Sequence, residues 1–194
     1  MARTAAALVV TVLPERFTMV DFDAERVAAH VADMAGQVGL PALGVEAVTV
    51  EVDETVPLGR ARLIGLEPVH LHVESGGFED PKRLRQLSEP KVRVLSGLLL
   101  FQARDRLDPS FSARPMDQAL TLAHQVAWDA YAVGRLERLG HVVQRQRRLY
   151  HFRNRHGFTD AADEAFHRLW TAPELTWPQV VSISDGANGG AQPG

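Results

Sequence analysis

Two spacings of apolar residues organise the first 80 positions of the chain. A half-buried strand has an apolar residue at every second position, whereas an amphipathic helix repeats them every three or four. Val45 to Val52 alternates in the first way and predicts a half-buried strand. Asp21 or Asp23 can cap a helix that Gly39 ends, because both residue types favour those positions. The apolar positions of this helix are Val27, Val31, Met34, Ala35 and Val38.

Three other segments complete a predicted sheet. Leu8 to Leu13 is a continuous apolar run rich in β-branched residues, typical of a central strand covered on both faces. Arg60 to Leu66 and Val69 to Glu74 predict two more strands, with the turn Glu67-Pro68 between them. Phe78 to Leu87 follows neither spacing and predicts an irregular or short helical connection. The order of elements is therefore a β-α-β-β-β small sheet.

From Ser88 onward every periodic segment has helical spacing. Ser88-Glu89-Pro90 is a helix start, and Pro115 to Leu139 carries a face of small residues suited to close helix packing. His141 to Phe158 predicts a third helix, and Thr159 caps a fourth. Trp177 to Ile183 predicts a short last one. A bundle of four to five helices follows the sheet.

These elements predict the fold class α+β in one compact domain, residues 1–185. Residues 1–80 form its sheet-rich part and residues 81–185 its helical part. The longest connection, Asp108 to Arg114, is too short to separate independent domains. Residues 186–194 are small and polar, which predicts a disordered tail.

Missing residues and motifs exclude several function classes. The chain has no cysteine, so disulfides, thiolate zinc sites and cysteine nucleophiles are excluded, and a cytoplasmic protein is favoured. The apolar run Ala5 to Leu13 is too short to span a bilayer, so no membrane segment is predicted. The usual motifs of zinc peptidases, P-loop NTPases and dinucleotide-binding enzymes are absent. The oligomeric state is left open.

The order of a helix, a small sheet and an apolar helix resembles the layout of zincin metallopeptidases. Val94 to Leu98 occupies the place of their metal-binding helix. Because that segment contains no histidine, the resemblance implies at most a zincin-like scaffold without the metal chemistry.

Charge is distributed unevenly along the chain, although its formal net charge is only -3. Glu15 to Glu54 contains nine acidic residues and two arginines, whereas Arg135 to Phe158 contains seven arginines and one acid. The two regions can attract each other or attract different partners. Since lysine occurs only at Lys82 and Lys91, part of the arginine excess reflects coding bias rather than phosphate recognition.

The strongest candidate site is the basic helix His141 to Phe158. At about 100° per residue, one side of that helix carries a stripe of basic residues. Its members are Arg147, Arg148, His151 and Arg155. Such a stripe can bind an acidic partner, either an acidic protein or the phosphates of a nucleic acid, with Tyr150 or Phe158 near enough to stack on a base.

The alternative interpretation of the same helix is a solvated face with internal ion pairs. Arg145 and Arg153 fall beside the apolar face and need carboxylate partners there. The acids nearby in sequence are Asp129, Glu137, Asp160, Asp163 and Glu164. Neutralisation of the stripe by the acidic first part of the chain is also left open.

A second candidate site is the strand that contains His70, His72 and Glu74. Alternate strand positions share a face, so two imidazoles and a carboxylate could hold a divalent transition metal, with His124 or His141 as a further ligand. The simpler interpretation places those three side chains towards water and the intervening valines and leucine in the core.

The sequence therefore favours a non-enzymatic interaction or regulatory protein that binds an acidic partner through a basic helix and needs no cofactor. The alternative is a metal-dependent, hydrolase-like enzyme in which a metal-bound water is the nucleophile.

Overall fold

The computed structural model divides into two units, residues 1–107 and 108–194, and the first contains a four-stranded mixed sheet. The structure describes residues 8–111 and 120–188. The strands are β1 (Val9–Leu13), β2 (Ala47–Asp53), β3 (Ala61–Leu66) and β4 (Val69–Glu74), in the order β1-β2-β4-β3. β1, β2 and β4 are parallel, and β3 pairs antiparallel with β4.

Two helices, α1 (Ala24–Val38) and α2 (Glu89–Leu107), pack against each other and against this sheet. The Asp23 carboxylate caps α1 by accepting hydrogen bonds from the backbone N–H groups of Glu25 (2.9 Å) and Arg26 (3.1 Å). Gly39, at φ +85°, ends the helix in the left-handed conformation that favours glycine. The predicted β-α-β-β-β order and the α+β class are confirmed.

The position of β1 differs from the prediction. It is an edge strand rather than a central one, and Val12 is its only buried residue, while Val9 is 60% exposed. Within residues 8–111 and 120–188, β2 is the only strand paired with it. An apolar run indicates a preference for burial but does not specify how many neighbouring strands are present, so the edge position was not readable from the run.

The predicted irregular or helical connection Phe78 to Leu87 was also wrong. The segment forms a small hairpin of β5 (Glu79–Asp80) and β6 (Arg83–Leu87). Asp80 Oδ1 accepts a hydrogen bond from the Lys82 N–H at 2.8 Å in the turn. Four of the five β6 residues are exposed, and its two leucines, Leu84 and Leu87, are three positions apart, so the segment lacks the apolar alternation that predicts a strand.

The described part of the second unit contains four α-helices. They are α3 (Leu122–Arg138), α4 (Arg145–His156), α5 (Asp160–Thr171) and α6 (Trp177–Asn188). α3 packs against the other three, around the fully buried rings of Trp128, Phe152 and Trp170. Together with α2 these helices confirm the predicted number of four to five.

The bounds of the second unit's helices differ in places from the predicted ones. α3 begins after its cap Thr121, and the predicted start at Pro115 lies outside the described residues. α6 continues to Asn188, so the first three residues of the predicted tail are helical, and residues 189–194 lie outside the described range. The single-domain organisation of residues 1–185 stays a prediction. No helix among the described residues is both long and apolar enough to cross a membrane.

Candidate functional site

Helix α4 carries the basic stripe, and two glycines set its limits. It spans Arg145–His156, which is shorter than the predicted His141 to Phe158, because the residues between Gly140 and Arg145 are not helical. Gly140 adopts φ +89° at the end of α3, and Gly157 adopts φ +96° at the end of α4. The Gly157 N–H donates to the Arg153 carbonyl at 2.8 Å. Both reversals use a backbone conformation that L side chains rarely adopt.

The buried face of α4 is fixed by two stacked rings. Phe152 and His156 lie parallel with ring centroids 3.8 Å apart, and Phe152 also meets Phe166 of α5 edge-on. His156 Nδ1 lies 3.1 Å from the Phe152 carbonyl oxygen, and Nε2 lies 2.8 Å from Ser184 Oγ of α6. These contacts set the rotation of α4 and turn the stripe away from the core.

The pair His156 and Ser184 was not singled out by sequence reasoning, since the two residues lie on different helices and no local pattern links them. Burial lowers the pKa of His156, because a charged imidazole is poorly solvated in the core. A serine hydroxyl beside an imidazole is also the arrangement of an activated nucleophile. Ser184 is fully buried, however, so the pair is a satisfied core contact without substrate access.

Of the two arginines outside the stripe, Arg153 has the predicted carboxylate partner and Arg145 does not. Arg153 Nε donates to Asp163 Oδ1 at 2.7 Å, and its Nη2 donates to Asp163 Oδ2. This hydrogen bonding lowers the pKa of Asp163 and raises that of Arg153. Arg145 does not have the predicted carboxylate partner among the described residues: its guanidinium lies 5.6 Å from the Trp170 ring centroid, and Nη2 lies 3.3 Å from His167 Nδ1.

The four stripe residues remain on the solvent side of α4. Arg147, His151 and Arg155 are exposed, and Arg148 is half-buried. Within residues 8–111 and 120–188, no aspartate or glutamate forms an ion pair with any of the three arginines. Arg147 Nη1 donates a hydrogen bond to Gln144 Oε1 at 3.4 Å. In the described part of the chain, the stripe arginines thus differ from Arg153, which is held by the Asp163 carboxylate.

An open cleft borders the stripe where α4 meets α3. Its volume is about 180 Å³, and Arg148 and His151 form one wall. Val126, Asp129 and Ala130 of α3 form the other. Asp129 Oδ1 accepts a hydrogen bond from Gln125 Nε2 at 2.9 Å, which orients the carboxylate along α3.

Two exposed aromatic side chains lie beside the stripe. Tyr150 is 57% exposed and Phe158 is 64% exposed, and their ring centroids are 5.9 Å apart at an interplanar angle of 69°. The Tyr150 ring also lies edge-on to the His151 imidazole, at 6.4 Å. Charged and aromatic groups thus occupy one continuous solvent-facing surface.

The second predicted site lies on the outer face of the sheet. Val69, Leu71 and Val73 are fully buried, while His70, His72 and Glu74 are half-buried on the opposite face of β4. His70 Nε2 is shielded from solvent and lies 3.3 Å from Glu51 Oε2 of β2, without the alignment of a hydrogen bond. Glu74 Oε2 instead accepts a hydrogen bond from the Arg60 N–H at 3.0 Å.

No metal-binding group was found in the part of the chain that the structure describes. Among those residues, no three histidine, aspartate or glutamate side chains are arranged to hold a metal ion. His124, one of the two suggested further ligands, lies in the second unit with Nε2 2.7 Å from Asp185 Oδ1. His141, the other, lies between α3 and α4. The metal-dependent alternative remains a prediction that rests on the strand pattern.

The first unit also contains a group of hydrogen bonds that the sequence did not predict. The Glu54 carboxylate, just after β2, accepts hydrogen bonds at one oxygen from the backbone N–H groups of Thr18 (2.7 Å), Met19 (2.7 Å) and Val20 (3.3 Å). Three successive amides that converge on one anion hold the segment between β1 and α1 in place.

Comparison with known proteins adds no functional assignment. The chain matches no protein-family model and has no significant match among curated proteins or solved structures.

Proposed function

We propose that this chain is a non-enzymatic interaction or regulatory protein that binds an acidic partner through the α4 stripe, Arg147, Arg148, His151 and Arg155. The observation that carries the proposal is a division among the α4 arginines. Arg153 is held by Asp163, whereas the stripe arginines have no acidic partner among the described residues. If α4 had only a structural role, its other arginines would be expected to form ion pairs with carboxylates, as Arg153 does with Asp163.

The chemistry of the guanidinium group supports this proposal. Its planar array of donors matches carboxylate and phosphate oxygens in two-point contacts, which are stronger than those of neutral donors. Three such groups lie within about eight residues, or about 12 Å, along one side of α4. Exposed charges at this spacing attract a polyanion over about one Debye length, so affinity should fall as salt rises.

The test measures binding of fluorescently labelled poly-L-glutamate by anisotropy at several salt concentrations. The triple variant Arg147→Ala, Arg148→Ala, Arg155→Ala is expected to lose at least about tenfold in affinity, because three contacts worth about 0.5 kcal/mol or more each are removed. Its salt dependence should flatten as well.

The matched control removes three other exposed arginines and thus the same net charge. The variant Arg62→Ala, Arg83→Ala, Arg168→Ala changes β3, β6 and α5 and leaves α4 intact. It should bind nearly as the parent protein does. Equal losses in the two triple variants would mean that overall charge, rather than the α4 stripe, binds the polyanion, and the proposal would be wrong.

A further inference from the structure

The rings of Tyr150 and Phe158 form a solvent-exposed pair beside the α4 stripe. Their edge-to-face contact uses the face of one ring and only the edge of the other. One ring therefore keeps both of its faces outside the pair. Flat, exposed aromatic surface of this kind is available for stacking.

The backbone at Gly157 is what brings the two rings together. Gly157 adopts φ +96° and ψ 160°, a region that residues with a side chain rarely enter, although a Cβ atom there would meet only Thr159 Cγ2 at 3.7 Å. Conformation rather than space therefore favours glycine. After this reversal the chain presents Phe158 beside Tyr150 on the solvent side, while Phe152 enters the core.

An acidic polypeptide and a nucleic acid strand would use this surface differently. Carboxylates would engage the guanidinium groups and leave the rings without a partner. A single strand offers phosphates for the arginines and unstacked base faces for the rings, whereas a duplex keeps its bases inside the stack. Exposed rings lie beside arginines that have no acidic partner among the described residues, and this juxtaposition favours the single strand.

We infer that the acidic partner of the α4 stripe is a single-stranded nucleic acid, with Arg147, Arg148 and Arg155 on its phosphates and Tyr150 and Phe158 stacked on its bases. This inference rests on the proposed function and specifies its ligand. Recognition by stacking and charge is tolerant of base sequence. Three phosphate contacts give a slope of log affinity against log salt of about −2, from roughly −0.7 for each phosphate of a single strand.

The first experiment changes the ligand and leaves the protein as it is. Anisotropy is measured with labelled single-stranded dT15, with the same 15-unit backbone in which every base is absent, and with a 15-base-pair duplex. The single strand is expected to bind on the order of tenfold or more tightly than the abasic strand, because base stacking on each ring contributes on that order. The duplex, which keeps its base faces inside the stack, should bind less tightly than dT15. Equal affinity for dT15 and the abasic strand would overturn the inference.

The second experiment changes the rings. Tyr150→Ala with Phe158→Ala should lose on the order of tenfold to a hundredfold in dT15 affinity with the salt slope unchanged, since the phosphate contacts remain. Binding of poly-L-glutamate should not change. The control is Leu139→Ala with Val142→Ala, which removes two other exposed apolar side chains near α4 and should not weaken dT15 binding.

The two levels of the proposal fail differently. In one outcome, the Tyr150 and Phe158 double variant binds dT15 as tightly as the parent does, while the triple arginine variant loses affinity for poly-L-glutamate. The stripe then binds an acidic protein, and only the single-strand inference is wrong. If the triple arginine variant keeps the parent's affinity for both poly-L-glutamate and dT15, both the proposed function and this inference are wrong.

Discussion

A Cβ atom added to Gly134 of α3 would lie 2.9 Å from both the Cα and the carbonyl carbon of Trp170 in α5. The two helices approach so closely there that backbone, rather than a flexible side chain, occupies the space. Gly134→Ala should therefore lower the free energy of unfolding by about 1–3 kcal/mol, the usual cost of overpacking a core. Urea unfolding followed by circular dichroism measures this change.

The control for this substitution is Gly36→Ala in α1. A Cβ atom at Gly36 would meet nothing within 4 Å, and the residue is exposed on a helix. Alanine is favoured over glycine in helices by about 0.5–1 kcal/mol, so this variant should be slightly more stable than the parent. Destabilisation by both substitutions would contradict the close-approach explanation.

Asp23, and not Asp21, is the capping residue of α1, which resolves an alternative that the sequence left open. Asp23→Ala removes an acceptor for two backbone N–H groups and should cost about 0.5–2 kcal/mol of stability. The exposed Asp21 carboxylate makes no such bond, so Asp21→Ala should cost much less. Thermal melts of the two variants side by side provide the measurement, and an equal loss would argue against the cap.

Glu54 should be required for order in the segment between β1 and α1. Glu54→Ala leaves the N–H groups of Thr18, Met19 and Val20 without their shared acceptor, with an expected cost on the order of 1 kcal/mol, because the exposed amides can bond to water instead. Hydrogen exchange at these three amides should accelerate, while amides in β2 should change less. Glu15→Ala, which removes an exposed acid of the same segment, is the control and should leave exchange unchanged.

The buried imidazole of His156 predicts a loss of stability on acidification. Burial, with a smaller opposing contribution from the Phe152 carbonyl, places the pKa of His156 below its usual 6.5. The unfolded chain therefore takes up a proton at a higher pH than the folded chain does. Stability should be undiminished above about pH 6.5 and should decline as the pH falls through the interval below that value.

The measurement is the free energy of unfolding at pH 7.5 and at pH 5.5, a range above the ordinary titration of carboxylates. His156→Leu removes the titrating group and should reduce the difference between the two pH values, whatever it does to stability at pH 7.5. An equal difference in the variant and the parent would assign the pH dependence to other histidines.

Elements with a strong apolar period were predictable, because burial of one side places apolar residues at regular spacing in the sequence. The alternation in β2 and β4 matched the buried and half-buried faces, and the apolar positions of α1 are all buried. The separation of Arg153 from the α4 stripe followed from helical geometry alone, and its bond to Asp163 confirmed it. Features that depend on a short repeat of apolar or charged positions can therefore be predicted from a single sequence.

Other features depend on partners far away in the sequence and left no such record. The edge position of β1 is decided by which strand lies beside β2, and the hairpin of β5 and β6 is stabilised with little apolar burial. Arg145 lies against the ring of Trp170, from the neighbouring helix α5, rather than beside the carboxylate that was expected. Before the packing of α4 was known, neither the two rings nor the arginines of the proposed binding surface could be distinguished from ordinary solvated side chains.

The sheet order β1-β2-β4-β3 also predicts an order of events in folding. β3 and β4 are joined by a two-residue turn, so their hairpin closes a very short loop. The parallel partners Val10 and Val48, in contrast, meet only after α1 and its flanking segments have been enclosed in a long loop. Since chains dominated by distant pairings fold slowly, the docking of β1 should limit the folding rate of the first unit, well after its hairpin has formed.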